Sequence, residues 1–410
     1  MIPYGRQSIS EDDIAAVVAV LRSEFLTQGP VVPQFEAAVA GVVGAAHAVA
    51  VNSATSALHV ACLALDVGPG DTVWTSPNSF VASANCALYC GANVDFVDID
   101  ADTLCMSVEA LAIKLSHHKR AGQALPKVVI PVHFGGQSCD MAAIHALGLE
   151  YGFKIIEDAS HAIGGYYQST SAASQAESAR RERVQTRTSS QQAFPPIGNC
   201  HFSDICVFSF HPVKIITTGE GGMAVTQSAA LAERMRQLRS HGITREPSQM
   251  TEPTHGPWYY QMRSLGFNYR LTDIAAALGL QQLQRLEDFV RTRLAIAKRY
   301  DEAFQGLSRI SLQTVPPYTG SSRHLYVVRV PAEKHADVFS QLRADGIGVN
   351  LHYIPIHLQP YYRALGFKPG DFPIAEHYYR EAVSLPIFFD LTEAQQAFVI
   401  RSVLDAVAKH

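Results

Sequence analysis

The sequence predicts an α/β protein in which a mostly parallel sheet of about seven strands precedes a smaller α+β domain. Three observations carry this. Short β-branched apolar runs alternate with helix-like segments through the first half of the chain. Only 17% of the 410 residues are charged and 47% are hydrophobic, a balance that favours a sheet covered on both faces. Beyond Gly242 the alternation gives way to an aromatic loop, a long helical pattern and a few separate strands.

Taken in order, Ser10 caps a helix over 11–23, where Ile14, Val17, Val18 and Leu21 share one face and acids fill the first turn. A loop, Leu26 to Pro30, follows. The strand-like runs are His47–Val51, Thr72–Thr75, Val94–Val97, Lys127–Val132, Lys154–Glu157, Asp204–Phe208 and Gly222–Val225. In open sheets of this kind, ligands bind beyond the carboxyl ends of the strands. Directly after these runs come Asn52–Ser56, Ser76–Phe80, His133–Gly136, Asp158–His161 and Ser209–Lys214, so the chemically versatile residues gather on one edge.

From about 168 to 196 the texture changes to Ser, Ala, Gln and Arg without apolar periodicity. Interspersed acids and the lack of an aromatic platform favour a disordered surface insertion over a nucleic-acid arm. After the Trp258–Tyr260 loop, a long helix is expected from Ile274 to about Leu307. Then come a strand over His324–Val330, a helix over 332–345, the segment Val349–Ile356 and a closing helix from Glu393. The expected division is a large domain over 1–241 and a small one over 242–410.

A net charge of -4 gives no electrostatic reason to expect nucleic acid or an anionic membrane as partner. Seven cysteines, odd in number and without a Cys-x-x-Cys, read as reduced residues of a cytoplasmic protein. No basic leader precedes an apolar core at Met1–Arg6. The uncharged stretch from Ala37 to Leu65 is interrupted by Gly41, Gly44, Asn52 and Ser53, so no membrane span is expected.

Lys214 is the focal residue. Val213, Ile215 and Ile216 surround it, and desolvation favours the neutral amine, which can form a Schiff base with an aldehyde. A lysine at a strand end that snorkels to water is the plainer alternative. Ser53-Ala-Thr-Ser56 lies where a strand becomes a helix; its amides and hydroxyls suit a phosphate, although Ser and Thr are also ordinary caps. Asp158, closing an apolar strand, suits a protonated ring nitrogen or a solvated turn. Phe80 suits a stacked flat ring or the core, and His161 a ligand contact or simple packing. No metal-ligand spacing is present, His117-His118 being a helix-surface pair, and no Gly-x-Gly-x-x-Gly follows the first strand. Phosphate clamp, stacking ring, acid and desolvated lysine together are what pyridoxal phosphate requires.

The chain resembles the DegT-type sugar aminotransferases, fold-type I pyridoxal-phosphate enzymes. The resemblance rests on Thr27-x-Gly-Pro30, Asn52-Ser-Ala-Thr-Ser-Ala-Leu-His59, Glu157-Asp-Ala-Ser-His161, Ser209-Phe-His-Pro-Val-Lys214, Gly219-Glu-Gly-Gly222, Asn268-Tyr-Arg-Leu-Thr-Asp273 and His352-Tyr-Ile-Pro-Ile-His357. The opening Ile2-Pro-Tyr-Gly-Arg-Gln7 and the Trp258–Tyr260 loop are most similar to the pseudaminic-acid branch, whose members aminate C4 of a UDP-4-keto-6-deoxy-2-acetamido sugar. The resemblance implies that Lys214 would carry the cofactor and shuttle the proton, that Asp158 would pair with the pyridine nitrogen, and that His161 would lie near the ring's phenolic oxygen. Phe80 would stack on the ring, while Thr55, Ser56 and Ser209 would hold the phosphate. Asn268 would reach the cofactor of a neighbouring subunit, implying a homodimer with shared sites. Tyr4, Arg270, His352 and His357 would face the nucleotide sugar or the donor, glutamate. The insertion at 168–196 is the main departure. A related dehydratase would carry histidine where Lys214 stands, and a non-catalytic regulator would need a DNA-reading module that the sequence lacks.

Overall fold

The computed structural model of the chain describes residues 1–167, 195–316 and 319–409. At its centre stands a seven-stranded sheet. Its strands are β1 (His47–Val51), β2 (Thr72–Thr75), β3 (Asn93–Phe96), β4 (Val128–Ile130), β5 (Lys154–Asp158), β6 (Ile205–Ser209) and β7 (Gly222–Thr226). The order is β1-β7-β6-β5-β4-β2-β3. Within this sheet only β7 runs against its neighbours, β1 and β6; the other pairs are parallel. Every residue of β4, β6 and β7 is buried, as a sheet covered on both faces requires.

Register positions the site. Gly222, the first residue of β7, pairs with both Val51 and Ser209, the last residues of β1 and β6. Asp158, at the end of β5, pairs with Val207. One edge therefore collects the ends of β1, β5 and β6 and the start of β7. The helices of this half are α1 (Glu11–Leu21), α2 (Val31–Val43), α3 (Ala54–Ala64), α4 (Ala82–Tyr89), α5 (Val108–Ala121), α6 (Met141–Tyr151) and α7 (Ala229–Arg239). Ser10 caps α1 reciprocally with Asp13, and the Ser53 side chain caps α3 by accepting the Ser56 N–H at 3.1 Å.

The long helix expected from Ile274 is two helices, α8 (Asp273–Gln284) and α9 (Leu286–Phe304). They part at Arg285, whose guanidinium turns back to Asp13 (2.6 Å) and the Ser8 carbonyl (2.9 Å). An antiparallel sheet of β8 (Ser311–Leu312), β9 (Tyr326–Arg329) and β10 (Ala382–Leu385) follows. Around it lie α10 (His335–Ala344), α11 (Pro360–Ala364), α12 (Pro373–Glu381) and α13 (Glu393–Lys409).

Two apolar cores organise the chain. The larger runs through the main sheet, continues through Leu271, Leu283 and Phe289, and takes in Tyr362, Phe372 and Tyr378. The smaller joins Ile296, Tyr300 and Phe304 to Val328, Leu342 and Val403. Residues on both sides of the expected boundary at 242 thus share the larger core, because α8 packs on α1 and α2; the cores part within α9. The segment 168–194 lies outside the described residues, but its flanks meet: Tyr166 bridges Pro196, and Tyr167 N–H donates to the Pro195 carbonyl at 3.0 Å. All seven cysteines are free, six of them buried. Among the described residues no helix is long and apolar enough to cross a membrane, and no group of three or more His, Cys, Asp or Glu is placed to hold a metal.

Candidate active site

A cavity of about 780 Å³ opens at this sheet edge, within the size range of small-molecule and cofactor sites. Tyr4, Thr55, Ser56, Phe80, Asp158, His161, Ser209, Lys214 and His352 all line it. They come from six separate stretches, brought together by strand order rather than by proximity in sequence.

The N-terminus of α3 forms one wall. Ser53 and Ser56 close on each other (Oγ to Oγ 3.0 Å), and the Ser56 hydroxyl donates to Asn52 Oδ1 at 2.7 Å. These bonds use up the capping groups and leave the N–H groups of Ala54 and Thr55 without an acceptor among the described residues. First-turn amides of a helix carry partial positive charge and attract anions. A Cβ on Gly222 would lie 2.4 Å from the Ser53 carbonyl carbon and 2.5 Å from the Ala54 nitrogen. Glycine at that position is therefore what allows β7 to lie against the start of α3.

Asp158 forms the floor. The Ser83 hydroxyl donates to its Oδ2 at 2.6 Å, and the Ser160 N–H donates to its Oδ1 at 3.1 Å. Beneath it, Glu157 points to the opposite face of the strand, where His133 Nε2 lies at 2.7 Å and the Tyr167 hydroxyl donates at 2.8 Å. This fully buried network anchors the strand that presents Asp158.

The Lys214 side chain makes no hydrogen bond or ion pair among the described residues, while its backbone N–H donates to the His211 carbonyl at 2.9 Å. Burial pushes its ammonium down to about 8, partly offset by the Asp158 carboxylate. The imidazoles nearby stay neutral. Burial and then the Lys214 charge hold His161 far below the usual histidine range and push His352 down to about 3. His324 is lowered by burial and by His161, and its ring stands 4.4 Å from that of His161.

Three expected site residues lie elsewhere in this chain. His357 is fully buried, with Nε2 2.9 Å from Glu376 Oε1 and its ring edge-on to Phe372. The short helical turn Ile356–Leu358 swings it into the core, so it does not share the cavity with His352. Asn268 is exposed and Arg270 half-buried, and neither lines the cavity. The Asn52 N–H donates to the Tyr269 carbonyl at 2.8 Å, which ties this segment beside the cavity with the Asn268 side chain outside it. Four lining or supporting residues were not anticipated: Ser83, His324, Asn350 and Tyr353. Only Tyr353 lay within a motif already singled out.

Comparison with known proteins bears on this geometry. Residues 7–404 match the model of the DegT/DnrJ/EryC1/StrS aminotransferase family. The chain is 37% identical to the spore coat polysaccharide biosynthesis protein SpsC of Bacillus subtilis, covering 99% of this chain and 97% of that one. It is 35% identical to a UDP-4-amino-4,6-dideoxy-N-acetyl-beta-L-altrosamine transaminase of Campylobacter jejuni, covering 100% and 99%. In structure it is similar to Helicobacter pylori PseC, an aminotransferase involved in the biosynthesis of pseudoaminic acid, with a TM-score of 0.85 and 28% identity over 100% of both chains.

This family is pyridoxal-phosphate-dependent, and the cavity's groups fit that cofactor. The two open amides of α3 match a phosphate, the doubly supported carboxylate matches a ring nitrogen cation, and the unpaired lysine matches an aldehyde.

Proposed function

Because the chain belongs to the DegT/DnrJ/EryC1/StrS aminotransferase family, we propose that it moves an amino group from glutamate to C4 of a UDP-linked 4-keto-6-deoxy-2-acetamido sugar. The observation that carries this reading is the partnerless, desolvated Lys214 amine in one cavity with Asp158 and the open N-terminus of α3. The transaminase relative at 35% identity and the likeness to PseC support the choice of sugar.

Bound pyridoxal phosphate supplies an aldehyde for amine capture and an electron-withdrawing ring. The chain supplies the rest. Thr55 and Ser209 would hold the phosphate with the open amides of α3, Ser56 bracing that turn through Ser53 and Asn52, and Phe80 would cover one face of the ring. Asp158, braced by Ser83 and Ser160, would hold the ring nitrogen protonated. The Lys214 Nζ would anchor the cofactor and, once released, would take the proton from the donor's Cα and deliver one to C4 of the sugar. An amine pushed down to about 8 can serve as both base and acid near neutral pH. His161 and His352, held neutral, line the cavity without adding charge beside that amine, their ring nitrogens bonded to Gly135 and Tyr353 and to Ser384 and Asn350.

The reading includes a cytoplasmic homodimer with shared sites. Asn268 is exposed and lies outside its own chain's cavity, which leaves it free to serve a partner's, and in this reading Arg270 would face the substrate. Residues 1–241 would carry the cofactor, and the C-terminal part contributes His324, Asn350, His352 and Tyr353 to the cavity wall. The test is incubation of the loaded enzyme with UDP- and dTDP-linked keto-sugars plus glutamate, with the product read by mass and NMR. Amination at C4 of the UDP-linked acetamido sugar supports the reading. Exclusive turnover of a dTDP-linked sugar, or amination at another carbon, overturns it.

A further inference from the structure

The hydrogen-bond direction around His161 is fixed by the backbone. Gly135 N–H donates to His161 Nδ1 at 3.3 Å, so that nitrogen is an acceptor and carries no proton. The single proton of the neutral ring must then sit on Nε2, which lies 3.1 Å from the Tyr353 hydroxyl oxygen. The histidine donates and the phenol accepts. Tyr353 therefore cannot give its own proton to His161, and no other acceptor for it exists among the described residues. Tyr353 lines the cavity. Its ring is stacked on His161 (interplanar angle 20°), and its backbone N–H donates to Asn78 Oδ1 at 3.3 Å. The stacking and the backbone bond hold the ring with its hydroxyl beside His161.

We propose that Tyr353 is a fixed hydrogen-bond donor of this site, its hydroxyl proton directed by His161 at an oxygen of the bound ligand. His161 is then a positioning residue for Tyr353 as well as a lining group. Burial and the Asp158 carboxylate both push the phenol up, so it keeps its proton and, while its oxygen accepts from His161, has that proton to donate. The acceptor oxygen belongs either to the cofactor ring or to the sugar, and the inference rests on the reading of this cavity as the cofactor site.

The test has two parts, both on the full chain. In the cofactor-free protein, ¹⁵N NMR of labelled histidines, with His161 assigned by comparison with His161→Gln, is expected to find His161 as the Nε2–H tautomer. An Nδ1–H tautomer overturns the proposal, because Tyr353 would then donate to the ring. In the loaded enzyme, Tyr353→Phe removes only the hydroxyl. If the acceptor is a cofactor oxygen, loss of a donor beside that anion disfavours the deprotonated form. The pH midpoint of the visible band then rises by about one pH unit, and cofactor release quickens about tenfold. If the acceptor is a sugar oxygen, the resting spectrum stays as in the wild type and KM for the keto-sugar rises about tenfold at unchanged kcat. Wild-type values in all three measurements overturn the proposal. Failure of the wild type to acquire a visible band overturns instead the cofactor reading on which it rests.

Discussion

The Ser83 hydroxyl donates to Asp158 Oδ2 at 2.6 Å, joining the first turn of α4 to the end of β5. This bond holds the carboxylate in one orientation at the cavity floor. A hydrogen bond to a charged group contributes about 1.5–3 kcal/mol. Ser83→Ala is accordingly expected to weaken cofactor binding about tenfold or more while leaving the fold intact. Equilibrium dialysis of the cofactor beside a thermal melt checks this. Undiminished affinity would mean that Ser160 alone orients the acid.

Gly222 and Gly41 make a matched pair. A methyl on Gly222 would collide with the backbone of Ser53 and Ala54, whereas one on Gly41, inside α2, meets nothing within 4 Å. Gly222→Ala should force α3 away from β7, at a cost of about 1–3 kcal/mol and with loss of cofactor retention. Gly41→Ala should be neutral or stabilising by about 0.5–1 kcal/mol, since glycine inside a helix carries an entropic penalty. Denaturant titration of both variants separates backbone crowding from a general intolerance to substitution.

Lys214 lends itself to a pH test. Its ammonium is pushed down from the usual lysine range to about 8, so below that pH the reactive neutral amine is the minor form. Each unit of decrease in pH reduces it about tenfold. Capture of pyridoxal phosphate by the cofactor-free chain, followed by its visible band, should rise with pH and flatten above about 8. A lysine in water would keep rising toward pH 10. Lys214→Ala should abolish both the band and turnover.

Much of this arrangement was legible in the sequence, for a physical reason. The seven strands are short apolar runs bounded by turns, and their observed ends fall within two residues of the expected ones, because burial on both faces leaves little choice of register. Residues at strand ends inherit that precision, which is why Lys214, Asp158 and Thr55 were found together. Ser83 was not legible, since its contact with Asp158 depends on β4 lying between β2 and β5, a relation no local pattern encodes. His357 was misplaced because its spacing from His352 says nothing of the turn at Ile356 or of the acid at Glu376 that receives it. The break at Arg285 was hidden for the same reason: both flanking segments are helical in pattern, and what parts them is a distant carboxylate, Asp13.

The proposed sharing of sites between two copies yields a prediction that does not depend on which sugar is used. Asn268 is exposed and lies outside the cavity of its own chain, whereas Lys214 lies inside it. If each site takes Lys214 from one protomer and Asn268 from the other, Lys214→Ala and Asn268→Ala each impair every site of their own homodimer. A hybrid dimer differs. The site built from Lys214 of the Asn268→Ala chain and Asn268 of the Lys214→Ala chain is intact, and the other carries both defects. Random exchange at equal amounts makes about half of the dimers hybrid, so mixing should restore about a quarter of wild-type activity. Mass spectrometry of differently tagged chains confirms that exchange has occurred. Exchange without recovery would mean that Asn268 serves its own chain or none, since a residue acting within one protomer cannot be supplied by the other.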